Sequence, residues 1–226
     1  MRKTAIALFL LNYLLYAARK AGSGSIMLST IVFCESSLQS GRIDPAERLV
    51  RSLSSLIRAN VEGLLGDVAI AGPSGQGLGL IADQAGCGLF EAPAESEWLR
   101  RAIDAARGPE LFLLRSGFAP LAGFIEEAGD FLRAQGADKS GSAPVALLRA
   151  APETFAERLF PRAAPLAGLI APRDRCAELF ANKSAMKFAA LAQFFKSATP
   201  LRKRKYSILP FGSPSLVRYT LKSRSR

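Results

Sequence analysis

Histidine is absent from all 226 residues, and that narrows the available chemistry at the outset. A Ser-His-Asp relay, a Cys-His pair, imidazole-ligated zinc and imidazole acid–base catalysis are all excluded. Any reaction must rest on carboxylates, backbone amides, hydroxyls, guanidinium or ammonium groups, or a metal held by oxygen. Cys34, Cys87 and Cys176 are odd in number and far apart, which suits neither a disulfide framework nor a CxxC metal site. They read as small buried hydrophobes in a reducing compartment.

The stretch "DVAIAGPSGQGLG" (67–79) has the look of a phosphate cradle. Phosphate loops use glycines to bring backbone N–H groups against the ligand, a lysine to neutralise it and a hydroxyl to hold magnesium. With Gly72 as the first glycine, Gly77 falls correctly as the second. Leu78, however, stands where the lysine belongs and Gly79 where the hydroxyl belongs. The spacing also fails as a dinucleotide fingerprint, which closes the first strand of a domain rather than the second. A glycine turn leading into a helix is the plainer reading. Among the carboxylates, Glu126 and Asp130 are one helical turn apart and share a face, and Glu153 and Glu157 repeat that spacing; all four also suit a solvated surface.

The elements that would position these groups alternate in type. "LSTIVF" (28–33), "DVAIA" (67–71), "CGLFEA" (87–92), "ELFLL" (110–114) and "APVALLRA" (143–150) are short apolar runs of the kind found in buried strands. Between them lie helical patterns. One opens at Asp44-Pro45-Ala46-Glu47, with a capping aspartate, a proline at the first helical position and a glutamate placed to complete a capping box. Its apolar stripe is read as Leu49, Val50, Leu53, Leu56 and Ile57, with Ser52 on the polar side. Strand, crossover and strand in series predict an α/β fold: a mostly parallel, Rossmann-like sheet with helices on both faces. The ligand crevice of such a sheet lies outside the carboxyl ends of its strands, so chemistry is expected just after Phe33, Ala71 and Leu114.

From Met27 to about Arg175 the order of these segments resembles the family 2 glycosyltransferases, whose GT-A fold binds a nucleotide-sugar. The likeness is carried by "MLSTIVFCESS", "AERLVRSLSSLI", "EGLLGDVAIAGPSG", "ADQAGCGLFEAP" and "AARGPELFLLRSGFAP". The resemblance implies a GT-A-like domain over 27–176 and sugar transfer from a nucleotide-sugar to an acceptor, in a cytoplasmic protein peripheral to or anchored in the inner membrane. It implies donor contacts at Glu35, Gly72, Ser74, Arg115 and Ser116, and a catalytic carboxylate for which Glu126 and Asp130 are the candidates. It also implies a divalent metal, magnesium or manganese, against the diphosphate.

The motif positions depart from the family. No Asn-Glu pair follows the first strand, Ala71 stands where a carboxylate receives the nucleotide, and Gln76 replaces the next aspartate. The Asp-x-Asp region falls on Arg115-Ser116-Gly117, so the metal ligands are missing. A departing nucleoside diphosphate must still be neutralised, and Arg115 can offer its cation directly. The alternative is a non-catalytic binding or scaffold protein that keeps the fold.

Charge divides the chain unevenly. Eleven of the thirty Lys and Arg follow Glu178, the last acid, so residues 1–178 are balanced and the +11 excess lies beyond them. A neutral body argues against a nucleic-acid-binding core. In the region 177–226, read as a basic helical or disordered tail, Phe188, Leu191, Phe194 and Phe195 make an apolar helix face ahead of Arg202-Lys203-Arg204-Lys205. Apolar plus basic suits an anionic membrane surface. At the other end, "TAIALFLLNYLLYAA" is shorter than the ~20 residues of a spanning helix. Residues 1–26 therefore read as a short anchor, an interfacial helix, or sequence upstream of a true start at Met27.

Overall fold

The computed structural model describes residues 27–35, 44–121, 123–137, 145–160, 164–182, 186–197 and 216–218. The segment 1–26 and the cluster Arg202–Lys205 lie outside them. Six strands form the main sheet: β1 (Leu28–Phe33), β2 (Leu65–Pro73), β3 (Gly88–Ala92), β4 (Glu110–Arg115), β6 (Ala146–Arg149) and β7 (Leu166–Pro172), in the order β3-β2-β1-β4-β7-β6. β1, β2, β3 and β4 pair in parallel, whereas β7 runs antiparallel to both β4 and β6. The sheet is thus mostly parallel, with one reversed strand that apolar patterning alone does not orient.

Alternation along the strands sends side chains to two apolar layers. Val32, Ile70, Phe112 and Leu114 pack under α1 (Pro45–Val61), α2 (Leu78–Ala85) and α4 (Phe124–Ala137), with Leu49, Leu56, Leu78 and Phe124 from the helices. Ile31, Phe33, Ala71, Leu111 and Leu113 face the other way, toward α3 (Glu95–Ala105), α6 (Arg173–Asn182) and α7 (Phe188–Ser197), where Trp98, Cys176, Phe180 and Phe188 meet them. Helices on both faces are what the strand–helix alternation predicts. A five-residue helix, α5 (Phe155–Leu159), follows β6, and a two-stranded ribbon joins β5 (Phe118–Pro120) to β8 (Leu216–Arg218).

Two local readings change. Asp44 caps α1 by accepting from the Ala46 N–H at 3.2 Å, but Glu47 pairs with Arg51 at 2.5 Å instead of completing a capping box. The closed box is at α5, where Thr154 accepts from the Glu157 N–H and the Glu157 carboxylate accepts from the Thr154 N–H. The buried stripe of α1 is also rotated: Leu49, Ser52, Leu56 and Ala59 are inside, while Val50 and Ile57 are exposed. Ser52 is drawn in because its hydroxyl accepts the Gly117 N–H at 2.9 Å while donating to the Arg48 carbonyl. A buried N–H needs such a partner, and that requirement outweighs the apolar pattern here.

Candidate functional site

Strand order reverses between β1 and β4, since the chain passes from β1 through β2 and β3 on one side before β4 enters on the other. Crevices of doubly wound sheets form at such a switch point. Phe33 is the register partner of both Ala71 and Arg115, so these three residues lie level at the carboxyl edge and on one face. Ala71 is fully buried in the apolar layer with Phe33 and Trp98. Arg115 continues the row into a polar setting.

The Arg115 guanidinium meets the Glu35 carboxylate at 2.9 Å, with the two side chains only 18% and 14% exposed. The same guanidinium lies over the Phe188 ring, 5.6 Å from its centroid, and Phe188 in turn packs on Phe33 at 4.6 Å. Charge pairing and the negative face of the ring together hold the arginine. Two of the expected contact residues, Glu35 and Arg115, are therefore brought together, although they are 80 positions apart.

The others have different placements. Ser116 is buried; its N–H donates to the Phe33 carbonyl at 2.9 Å and its side chain hydrogen-bonds the Cys34 thiol. Burial pushes the Cys34 thiol up despite that bond and the nearby Arg48 charge, which disfavours its thiolate. Gly72 serves packing: a Cβ there would stand 2.7 Å from Leu78 Cδ1 and 3.1 Å from Cys34 Cβ. Ser74 is exposed on the turn between β2 and α2, where Gly75 and Gly77 take φ values of +82° and +69° with open space around them. Those two glycines make the turn, for which positive φ is needed. Glu126 and Asp130 are not brought to the crevice: Glu126 lies 4.0 Å from Arg58 in the last turn of α1, and Asp130 pairs with Arg133 on the exposed face of α4. Glu157 is taken up by its capping box.

A carboxylate that the sequence reading passes over lies next to the pair. Glu95, half-buried in the first turn of α3, accepts the Phe188 N–H at 2.8 Å. Burial raises its pKa above the usual carboxylate value; the Phe188 N–H opposes that, Glu35 adds to it, and Lys187 and Arg115 oppose it. Glu95 thereby ties the start of α7 to the start of α3 beside Arg115. The apolar face of α7, which reads as interfacial in sequence, is turned inward: Phe188, Leu191 and Phe195 are fully buried. Among the described residues no helix is long and apolar enough to cross a membrane.

The donors here do not suit a divalent cation. Arg115 brings a cation rather than an oxygen ligand to the strand end, and the carboxylate beside it, Glu35, is engaged by it. Among the described residues no group of three or more Cys, Asp or Glu side chains is arranged to hold a metal.

A mostly parallel sheet in the order β3-β2-β1-β4-β7-β6, with one strand reversed and helices on both faces, is a GT-A-like fold. No family model and no curated protein matches the chain. Among solved structures, a mycobacterial protein is similar at a TM-score of 0.51 and 17% identity, over 91% of this chain and 71% of that one. Glucosyl-3-phosphoglycerate synthase from Mycobacterium tuberculosis, in complex with phosphoglyceric acid, gives 0.43 and 16%, over 70% of this chain and 60% of that one. For 4-diphosphocytidyl-2C-methyl-D-erythritol synthase from Anaerococcus prevotii the values are 0.49 and 9%, over 88% and 94%.

Proposed function

We propose that this is a nucleotide-sugar-binding protein of the family 2 glycosyltransferase type, in which Arg115 rather than a divalent metal meets the diphosphate. The observation that carries the reading is the Arg115–Glu35 pair at the β1/β4 switch point: a cation is held ready at the carboxyl edge where the fold receives its ligand. Ligand phosphate competes with Glu35 for the guanidinium, and Ser74 and the glycine turn beside it offer a hydroxyl and backbone N–H groups. The basic cluster Arg202–Lys205 would hold the protein at an anionic membrane face.

A second reading, a binding or scaffold protein without transferase activity, is favoured by a separate observation. Transfer to a hydroxyl needs a carboxylate base within reach, and among the described residues the two carboxylates near Arg115 are both engaged, Glu35 by the arginine and Glu95 by the Phe188 N–H. Calorimetric titration of the full chain with UDP-glucose and GDP-mannose, with and without manganese, tests both. The expected result is binding of equal affinity in either condition, weakened about tenfold or more in Arg115→Ala, as loss of a charge-assisted contact implies. Binding that requires manganese sinks the metal-free reading, and absence of any nucleotide binding leaves the scaffold.

A further inference from the structure

The two strands that flank β7 end alike. "ELFLLR" closes on Arg115 and "ALLR" closes on Arg149. Leu114 and Leu148 are both register partners of Gly168, and the two arginines follow them directly; the pairing shifts after Leu148, so that Arg149 stands opposite Leu166, and both arginines line one cavity. Their backbones are two strands apart, about 10 Å. Between them lies Leu166, and α7 crosses above. The space so enclosed is a cavity of about 210 Å³ lined by Arg115, Arg149, Gln193, Phe188, Leu147 and Leu166, with Ala189 and Ala192 completing it.

The two cations differ in what they have left to offer. Arg115 is paired with Glu35, yet its buried Nε has no hydrogen-bond partner. Arg149 donates from one terminal nitrogen to the Ala164 carbonyl at 2.6 Å, a neutral partner that brings no counter-charge. No carboxylate among the described residues pairs with it. Gln193 supplies a neutral donor and acceptor at the exposed rim, and the rest of the wall is aliphatic or aromatic. An unbalanced guanidinium, an orphan N–H and an apolar wall converge on one small volume.

We infer that this cavity binds a small organic anion, a carboxylate or phosphate ester on a compact apolar body, with Arg149 as the principal charge contact and Phe188 and Leu166 against the body. Carboxylate and phosphate both accept the planar, two-pronged donation of a guanidinium. The cavity is smaller than the ~300–1,000 Å³ clefts that take drug-sized ligands, so the occupant is a small molecule or one end of a larger one. This site stands without any bound nucleotide.

The test is calorimetry on the full chain with phenyl phosphate, benzoate and the neutral benzyl alcohol at constant ionic strength. Saturable binding of at least one anion is expected, with benzyl alcohol binding at least tenfold more weakly; which anion is preferred assigns the ligand to the phosphate or the carboxylate class. Arg149→Gln should weaken the anion about tenfold or more. Gln193→Glu, at an exposed position that leaves the core untouched, should weaken it several-fold by placing a like charge at the rim. Equal binding of benzyl alcohol, absence of saturable binding, or anion affinity unchanged in both variants overturns the inference. A nucleotide titration that fails while phenyl phosphate binds removes the proposed function and leaves this site standing.

Discussion

Arg115 at the end of β4 and Glu35 just beyond the end of β1 are joined by a 2.9 Å ion pair across the point where the strand order reverses. The pair both fastens the crevice and masks its cation. Glu35→Gln therefore has two opposed consequences. Global stability should fall by about 1–3 kcal/mol, because a largely buried guanidinium loses its counter-charge. Affinity for phosphate-bearing ligands should rise at the same time. Urea denaturation and phenyl phosphate or nucleotide titration of one variant read both; a fall in both would mean that Glu35 orients Arg115 rather than competing for it.

The glycines of 72–77 separate by mechanism. Gly72→Ala places a methyl group 2.7 Å from Leu78 Cδ1 in a close-packed layer and should cost about 1–3 kcal/mol. Gly75→Ala meets open space, and its cost of about 1–2 kcal/mol comes from the left-handed backbone alone. A double-mutant cycle distinguishes them: the penalty at 72 should shrink in a Leu78→Ala background, and the penalty at 75 should not.

Glu95 gives a pH signature. Its folded-state pKa is raised, so folding favours the protonated carboxyl. The associated stability is fully present below the ordinary carboxylate pKa and is lost as pH rises through the raised one. Glu95→Gln keeps an oxygen for the Phe188 N–H but cannot ionise. The variant and the wild type should run parallel at low pH, with the variant gaining relative stability as the pH rises above the ordinary carboxylate pKa of about 4.3. A stability difference that stays constant across this range in urea titrations would remove Glu95 from the titrating groups.

Phe188 tests whether α7 belongs to the fold. It is fully buried against Phe33 and carries the Arg115 guanidinium on its ring. Phe188→Ala should cost about 3–5 kcal/mol, the usual consequence of emptying an aromatic site in a core. A dispensable tail would show a change within about 0.5 kcal/mol, as at exposed surface positions.

Much of the framework is legible without coordinates because it follows from local rules. The apolar runs at 28–33 and 110–114, the helix over 78–85 stopped by Gly86, and the capping aspartate at 44 each depend on neighbours within a few residues. Arg149 was within reach as well, since it closes its strand in the same manner as Arg115. Glu95 carried no comparable mark: its partner is the backbone N–H of Phe188, 93 positions away, and no local pattern encodes that contact.

The sequence by itself determined the alternation of strands and helices, the two-sided cover of the sheet and the absence of imidazole chemistry, since these depend on residue type and short-range periodicity. Only the tertiary structure decided that β7 runs backward, that α7 turns its aromatic face inward, and that Glu35 neutralises Arg115 while no acid among the described residues pairs with Arg149. Those outcomes turn on pairings between distant segments. Their energy comes from desolvation and charge proximity, and distance along the chain says nothing about either.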